Sequence, residues 1–284
     1  MARARGVRAD PFPAGGKARP LRIALIGWGA IAHRFVDLIE QRNGAAATLC
    51  GLCLRRASEG ADAPHGVPVI TSPACLKAIG ADLVIEAAGR EAVAEWGEAA
   101  LTYAPAFVVA SASAFCDDAL LSRLLAAASR HGSQIILPPG ALGGIDALSA
   151  AAALGLDEVR HTIVKPPRAW RGTPAEKAIA LDAMTERATF FRGTARQAAR
   201  DYPQNANVAV ISALAGLGLD RTEIELVADP AATRNQHRIH AAGDFGTLDV
   251  AIESRPLAAN PKSSEMTALG LVRLVENRFR TLAR

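Results

Sequence analysis

Apolar and polar positions alternate with two different periods along this chain, and the switches between them outline its elements. A short apolar run, Ile23-Ala24-Leu25-Ile26, stops at Gly27-Trp28-Gly29, and helix-periodic positions follow at once over residues 30–39. Residues 48–54 predict a second strand, 67–70 a short one and 74–79 a short helix. The run at 82–86 ends in Ala87-Ala88-Gly89; a helix is predicted over 91–101 and a strand over 106–110, closed by Ser111-Ala112-Ser113-Ala114. A helix over 117–131 carries an apolar stripe at Leu120, Leu121, Leu124 and Leu125, and residues 134–137 read as a strand ended by Pro138-Pro139-Gly140. Strands that alternate with helices in this way predict a parallel, doubly wound sheet.

Past Gly144 the texture changes. Residues 145–154 form an alanine-rich helical run, and 158–165 alternate like a half-buried strand ended by Pro166-Pro167. Residues 189–199 combine a break at Gly193 with a helical run, and 203–217 predict a buried helix. Strands at 223–228, 238–242 and 247–253 follow, the last two joined by the turn Gly243-Asp244-Phe245-Gly246, and an amphipathic helix covers 266–281. The expected architecture is α/β: an N-terminal Rossmann domain with a doubly wound parallel sheet (21–144), then an α+β domain with a mainly antiparallel sheet (145–265). A C-terminal helix (266–284) is expected to pack back on the body.

Composition sharpens this picture. Half of the 284 residues are hydrophobic, enough to bury a sizeable core, and no apolar run is long enough to cross a bilayer. The net charge of +4 resides in the first twenty residues, where Arg3, Arg5, Arg8, Lys17 and Arg19 face Asp10 alone. That tail is expected to be disordered. The remaining body is formally neutral, without the basic stripe that nucleic-acid binding requires, so neither nucleic acid nor a membrane is an expected partner. Four cysteines do not make a disulfide framework in a chain this long, and Cys50-x-x-Cys53 lies in a predicted strand without the partners of a zinc site. Buried structural thiols, a cytoplasmic setting and no bound metal are expected.

The chemistry begins at the glycine turn. Gly27-x-Gly29-x-x-Ala32 between a strand and a helix is the dinucleotide fingerprint with alanine at its third place. Gly27 permits the sharp turn, Gly29 lets a pyrophosphate approach the backbone, and Ala32 lets the helix lie close on the strand. The N–H groups around Ala30 and Ile31 then face the phosphates. Small residues at Ala87 lie where a cofactor crosses the sheet. Where NAD-binding domains place an acidic residue for the ribose, this chain has Arg55-Arg56, which suits a 2′-phosphate; two solvated loop arginines are the alternative. NAD or NADP is the expected cofactor. Of six histidines, none is singled out by composition as the proton donor that hydride transfer needs.

Several separate stretches of the second half change that. Tyr202-Pro203-Gln204-Asn205-Ala206-Asn207-Val208-Ala209, Ala228-Asp229-Pro230, Arg234-Asn235-Gln236-His237, Gly243-Asp244-Phe245-Gly246 and Asn260-Pro261-Lys262-Ser263-Ser264 resemble the L-aspartate dehydrogenase family. The turn at Gly27 and the strand end at Glu86-Ala87-Ala88 fit the same family. The resemblance implies NAD(P)-dependent oxidation of L-aspartate to iminosuccinate, then oxaloacetate and ammonia, a reversible reaction tied to NAD biosynthesis. It implies His237 as the acid/base group and Ala114 and Asn207 at the nicotinamide nucleotide. Before Ala114 the family often has Ser-x-Gly-Ala, whereas this chain has Ser113 in place of the glycine. Lys165, Arg168 and Lys262 are candidates for the two substrate carboxylates. A homodimer or other homo-oligomer is expected. The rival readings are another two-domain NAD(P) reductase, of the homoserine dehydrogenase or dihydrodipicolinate reductase type, and a nucleotide sensor without turnover.

Overall fold

The computed structural model describes residues 19–43, 46–60, 62–64 and 66–283. The basic tail and His65 lie outside the described residues, apart from Arg19 and Pro20. The chain divides into two compact units: residues up to Pro138 together with those from Thr267 onward, and Pro139–Met266. The division falls ahead of the change of texture at Gly144, for a packing reason. A Cβ on Gly140 would lie 3.1 Å from Ile211, and one on Gly144 2.6 Å from Val250, so the turns after Pro139 belong to the second unit.

The first unit runs β1 (Leu21–Ile26), α1 (Ala30–Asn43), β2 (Ala47–Cys53), β3 (Val69–Ile70), α2 (Leu76–Ile79), β4 (Leu83–Glu86), α3 (Arg90–Tyr103), β5 (Ala106–Val109), α4 (Asp118–His131) and β6 (Gln134–Ile136). The strands pair in parallel in the order β3-β2-β1-β4-β5-β6, the doubly wound order whose switch point lies between β1 and β4. Buried on both faces, β5 and the first three residues of β4 read as apolar runs rather than as alternation, and β4 ends in the buried Glu86. On α4, Asp117 caps the first turn by accepting from the Ala119 and Leu120 amides, and the buried stripe is Leu120, Leu124, Ala127 and Ala128. Leu125, expected in that stripe, is exposed, because one further residue around the helix carries it off the core face. Cys53 is buried while Cys50 is half-buried at a bulge in β2, and both thiols are free.

The second unit contains α5 (Ile145–Ala151), β7 (Leu156–Lys165), α6 (Ala175–Ala178), β8 (Ala188–Thr194), α7 (Ala195–Asp201), α8 (Ala206–Ala215), β9 (Glu223–Ala228), β10 (Asn235–Gly243), β11 (Gly246–Ser254), β12 (Pro256–Leu257) and β13 (Asn260–Ser264). Its main sheet has the order β11-β10-β7-β9-β8, antiparallel except between β7 and β9. Gly193 is no break. It continues β8, pairing with Ile224, and α7 starts two residues later through a capping box between Thr194 and Gln197. β10 begins at Asn235, not at residue 238, which places His237 inside the strand. The inward positions there are His237, Ile239 and Ala241, and the polar first member hides the alternation from a hydrophobicity reading.

The last helix, α9 (Glu265–Glu276), returns to the first unit. Its Ala268, Leu271, Val272 and Val275, followed by Phe279, join the core formed by Leu25, Phe35, Leu52 and Ile85.

Candidate active site

In the first unit the carboxyl ends of β1 and β4 frame a cleft of about 470 Å³ lined by Gly27, Trp28, Gly29, Arg55, Glu59, Ala87, Ala88 and Gly89, among others. Gly27 adopts φ +92°, and a Cβ there would meet that of Ala88 at 2.6 Å, so glycine is required both by conformation and by the neighbouring strand end. A Cβ on Gly29 would meet nothing within 4 Å. The open space lies beside the start of α1, whose first turn (Ala30, Ile31 and the fully buried Ala32) contains no acidic residue to repel an anion. The cleft therefore fits a dinucleotide pyrophosphate.

The arginine pair divides. Arg55 lines the cleft; Arg56 does not, and both exposed guanidinium groups approach Glu59 Oε1, at 3.7 and 3.0 Å.

Glu86, not foreseen as a site residue, holds the strand ends in place. Its buried carboxylate accepts from the amides of Ala88, Gly89 and Ser111 and from the Ser111 hydroxyl, at 2.7–2.9 Å. Burial raises its pKa, and these hydrogen bonds oppose the rise. The loop so fixed leads into the 3₁₀ turn Ala112–Cys116, which carries the buried Ala114. Ser113, where the family often has glycine, is itself buried and accepts from Arg90 Nε at 2.8 Å, so the added hydroxyl is absorbed by a hydrogen bond.

In the second unit His237 is 5% exposed and lies opposite Ile163 in the ladder between β10 and β7. His161, two residues earlier on the same face of β7, places its Nε2 3.2 Å from His237 Nδ1. His161 Nδ1 in turn is 2.9 Å from Ser212 Oγ on α8, and Ser212 donates to the Ala209 carbonyl at 3.1 Å. Burial drives the His161 pKa down to about 3. Burial, then His161, then Lys165 hold His237 well below its ordinary 6.5. Both imidazoles are therefore neutral at neutral pH.

Lys165, at the end of the same face, has its Nζ 5.1 Å from the Trp170 ring centroid, and burial lowers its pKa to about 8. Arg168 is exposed in the following 3₁₀ turn, and Lys262 lies in β13 with its side chain outside what is described. Asn207 is exposed in the first turn of α8. Asn205, just before it, is buried, and its Nδ2 has no hydrogen-bond partner among the described residues.

The structure thus gathers Gly27, Gly29, Arg55 and Ala87 around one cleft, and places Lys165 in the field of His237. Sequence reasoning missed His161, Ser212 and Glu86. The alternation of His161, Ile163 and Lys165 was the available signal for the first. Among the other histidines, His33 stacks 4.1 Å from Trp28, His240 pairs with Asp249 at 2.8 Å, and His131 ends α4.

Comparison with known proteins accords with this arrangement. A family model described as aspartate dehydrogenase, C-terminal, matches residues 146–278, and one described as homoserine dehydrogenase, NAD binding domain, matches residues 27–138. An L-aspartate dehydrogenase of Brucella anthropi is 54% identical over 260 residues, covering 91% of this chain and 97% of that protein. One of Pseudomonas aeruginosa is 41% identical over 261 residues, covering 90% and 97%. Among solved structures, aspartate dehydrogenase from Thermotoga maritima shares the fold with a TM-score of 0.71 at 23% identity, over 92% of this chain and 98% of that one. A homoserine dehydrogenase from Thiobacillus denitrificans follows at 0.59 and 14%, over 93% and 75%.

Proposed function

Because this chain belongs to the L-aspartate dehydrogenase family, we propose that it oxidises L-aspartate to iminosuccinate with NAD or NADP, water then releasing oxaloacetate and ammonia, and that the reaction is reversible. The observation that carries the reading is the neutral, buried imidazole of His237 within the segment matched by the aspartate dehydrogenase model.

The bound nicotinamide supplies the hydride acceptor at substrate C2. The chain's own task is to hold the nucleotide, orient the dicarboxylate and manage one proton. Gly27, Gly29 and the first turn of α1, Ala30 to Ala32, would hold the pyrophosphate, and Arg55 and Arg56 would serve the ribose end; Ala87 would line the same cleft, and Ala114 and Asn207 are assigned to the nicotinamide nucleotide by resemblance to the family alone. His237 takes the ammonium proton, leaving a neutral amine whose lone pair drives hydride loss from C2, and returns a proton in the reverse direction. Lys165 and the Asn205 amide supply a cation and an N–H donor for the substrate carboxylates, with Arg168 and Lys262 as further cationic candidates. The buried setting of His237 excludes water from the imidazole that handles the proton.

We further propose, following the same family, that the imino product feeds pyridine-nucleotide synthesis, that the enzyme works as a homodimer or other homo-oligomer, and that it is cytoplasmic. Its four free cysteines suit a reducing compartment, and among the described residues no helix is long and apolar enough to cross a membrane.

The test is formation of reduced nicotinamide from L-aspartate with each cofactor, and its consumption with oxaloacetate and ammonia, with homoserine as the control substrate. Cofactor binding without turnover in either direction would favour the nucleotide-sensor alternative. Turnover of homoserine alone would favour the homoserine dehydrogenase one.

A further inference from the structure

We propose that Ser212 and His161 are positioning residues that set the tautomer of His237, through a one-directional hydrogen-bond chain that protonates its Nδ1 and leaves its Nε2 as the base. The proposal rests on His237 being the acid/base group of the aspartate reaction.

The direction follows from donor counting, beginning at the one group that cannot donate. The Ala209 carbonyl lies 3.1 Å from Ser212 Oγ, so the single hydroxyl proton of Ser212 goes to it. Ser212 is then an acceptor toward His161 Nδ1, 2.9 Å away, and that nitrogen carries the proton. A neutral imidazole has only one N–H, so His161 Nε2 presents a lone pair. It faces His237 Nδ1 at 3.2 Å, which must therefore be the donor. His237 Nε2 is left with the lone pair that a general base needs.

The opposite direction is disfavoured on the same count. If Ser212 donated to His161, its oxygen and the Ala209 carbonyl would face each other as two acceptors. His161 would then donate from Nε2, and the proton of His237 would be forced onto the nitrogen meant to receive one.

The chain requires His161 to remain neutral. It is fully buried with no acidic neighbour among the described residues, and burial lowers its pKa to about 3. The ionisable groups whose fields reach His237 are His161 and Lys165, both on β7. From α8 the neutral Ser212 reaches His161, and β11 places Ile252 opposite His237. When His237 takes up a proton at Nε2, its Nδ1–H still donates to the neutral His161, so the charged form keeps its partner. The orienter is therefore a second imidazole where many catalytic histidines use a carboxylate. A neutral orienter leaves the base low in pKa, suited to accepting a proton only transiently.

The experiment is ¹H–¹⁵N correlation of imidazole signals in the full-length protein, with His237→Gln used for assignment. The wild-type protein is expected to show His237 protonated at Nδ1 and bare at Nε2; a wild-type Nε2–H tautomer overturns the proposal without any variant. Ser212→Ala is expected to shift His237 toward the Nε2–H form, while Ser212→Thr, which keeps the hydroxyl, preserves Nδ1–H. In L-aspartate oxidation Ser212→Ala should lower kcat between roughly tenfold and roughly 10⁴-fold, the upper figure being the cost of a catalytic imidazole held in the wrong tautomer, with the KM for cofactor unchanged. An unshifted tautomer in Ser212→Ala sinks the chain. If His237→Gln retains full turnover, the acid/base reading of His237 fails instead, whatever its tautomer.

Discussion

Lys165 and His237 share one face of the mixed sheet: His237 lies opposite Ile163 in the ladder, and Lys165 is the next residue of β7 on that face. The ammonium field is one of three causes that hold the imidazole well below 6.5, after burial and His161. Oxidation needs the imidazole neutral, so its low pKa extends activity toward acid. Lys165→Met removes the cation and raises that pKa. The acid limb of kcat against pH is then expected to move to higher pH, and KM for L-aspartate to rise. The pKa of Lys165 itself, lowered by burial to about 8, adds a second expectation: in the wild-type enzyme, KM for aspartate climbs above that pH as the charge is lost.

Acid should unfold the second unit early. His161 titrates near 3 in the folded protein but at its ordinary 6.5 when unfolded, so between those values the unfolded chain binds the additional proton. Stability is full above 6.5 and falls as pH drops below it, with a slope approaching about 1.4 kcal/mol per pH unit for each buried histidine, His237 adding to the effect. Urea midpoints measured from pH 8 to pH 4 check this. A His161→Phe protein should lose part of the slope, and an unchanged slope would count against the burial argument.

The two glycines of the turn should fail differently. Gly27→Ala places a Cβ 2.6 Å from that of Ala88 in a left-handed conformation, so folding itself is expected to suffer, by about 1–3 kcal/mol. Gly29→Val enters open space and should leave the melting temperature within a few degrees while weakening cofactor binding at least about tenfold, since it occupies the pyrophosphate's approach. Thermal melts with and without cofactor separate the two.

Arg55 lines the cleft and Arg56 does not. Arg55→Ala is accordingly expected to raise KM for NADP about tenfold, the loss of one charge-assisted hydrogen bond, while KM for NAD changes little. Arg56→Ala should have the smaller effect. Equal KM changes for both cofactors in the Arg55 variant would remove its role at the 2′-phosphate.

Asn205 offers a test in which stability and activity separate. Its amide is buried and without a partner among the described residues, and its side chain makes no capping bond to α8. Asn205→Ala should leave stability within about 1 kcal/mol of wild type, or raise it, because the buried Nδ2 has no partner to lose among the described residues. If the amide serves a substrate carboxylate, KM for aspartate nevertheless rises.

Legibility in the sequence followed the physics of each feature. The switch from period two to period 3.6 around Gly27 marked the strand, turn and helix that frame the cofactor cleft, because those elements are held by local pattern. His161 was visible only as one histidine among six, because its pairing with His237 spans 76 positions and is created by ladder register, not by spacing. The start of β10 was hidden by His237 itself, a polar residue at an inward position. Gly193 suggested a break because glycine usually does, yet its place in β8 is fixed by pairing with Ile224 on a distant strand. Glu86 closed an apolar run, and only the fold shows three amides converging on its carboxylate.

The return of α9 to the first unit sets an order on how this protein can be made. A ribosome delivers β1 to β6 early, but Leu271, Val272, Val275 and Phe279, which complete their core, are delivered last. The nascent cofactor unit therefore waits, with an apolar surface uncovered, while the whole second unit is synthesised. Prematurely terminated chains retain the glycine turn yet carry that open surface, a form that chaperones and proteases engage. Assembly of the nucleotide cleft is in this way tied to completion of the part of the chain that carries the chemistry.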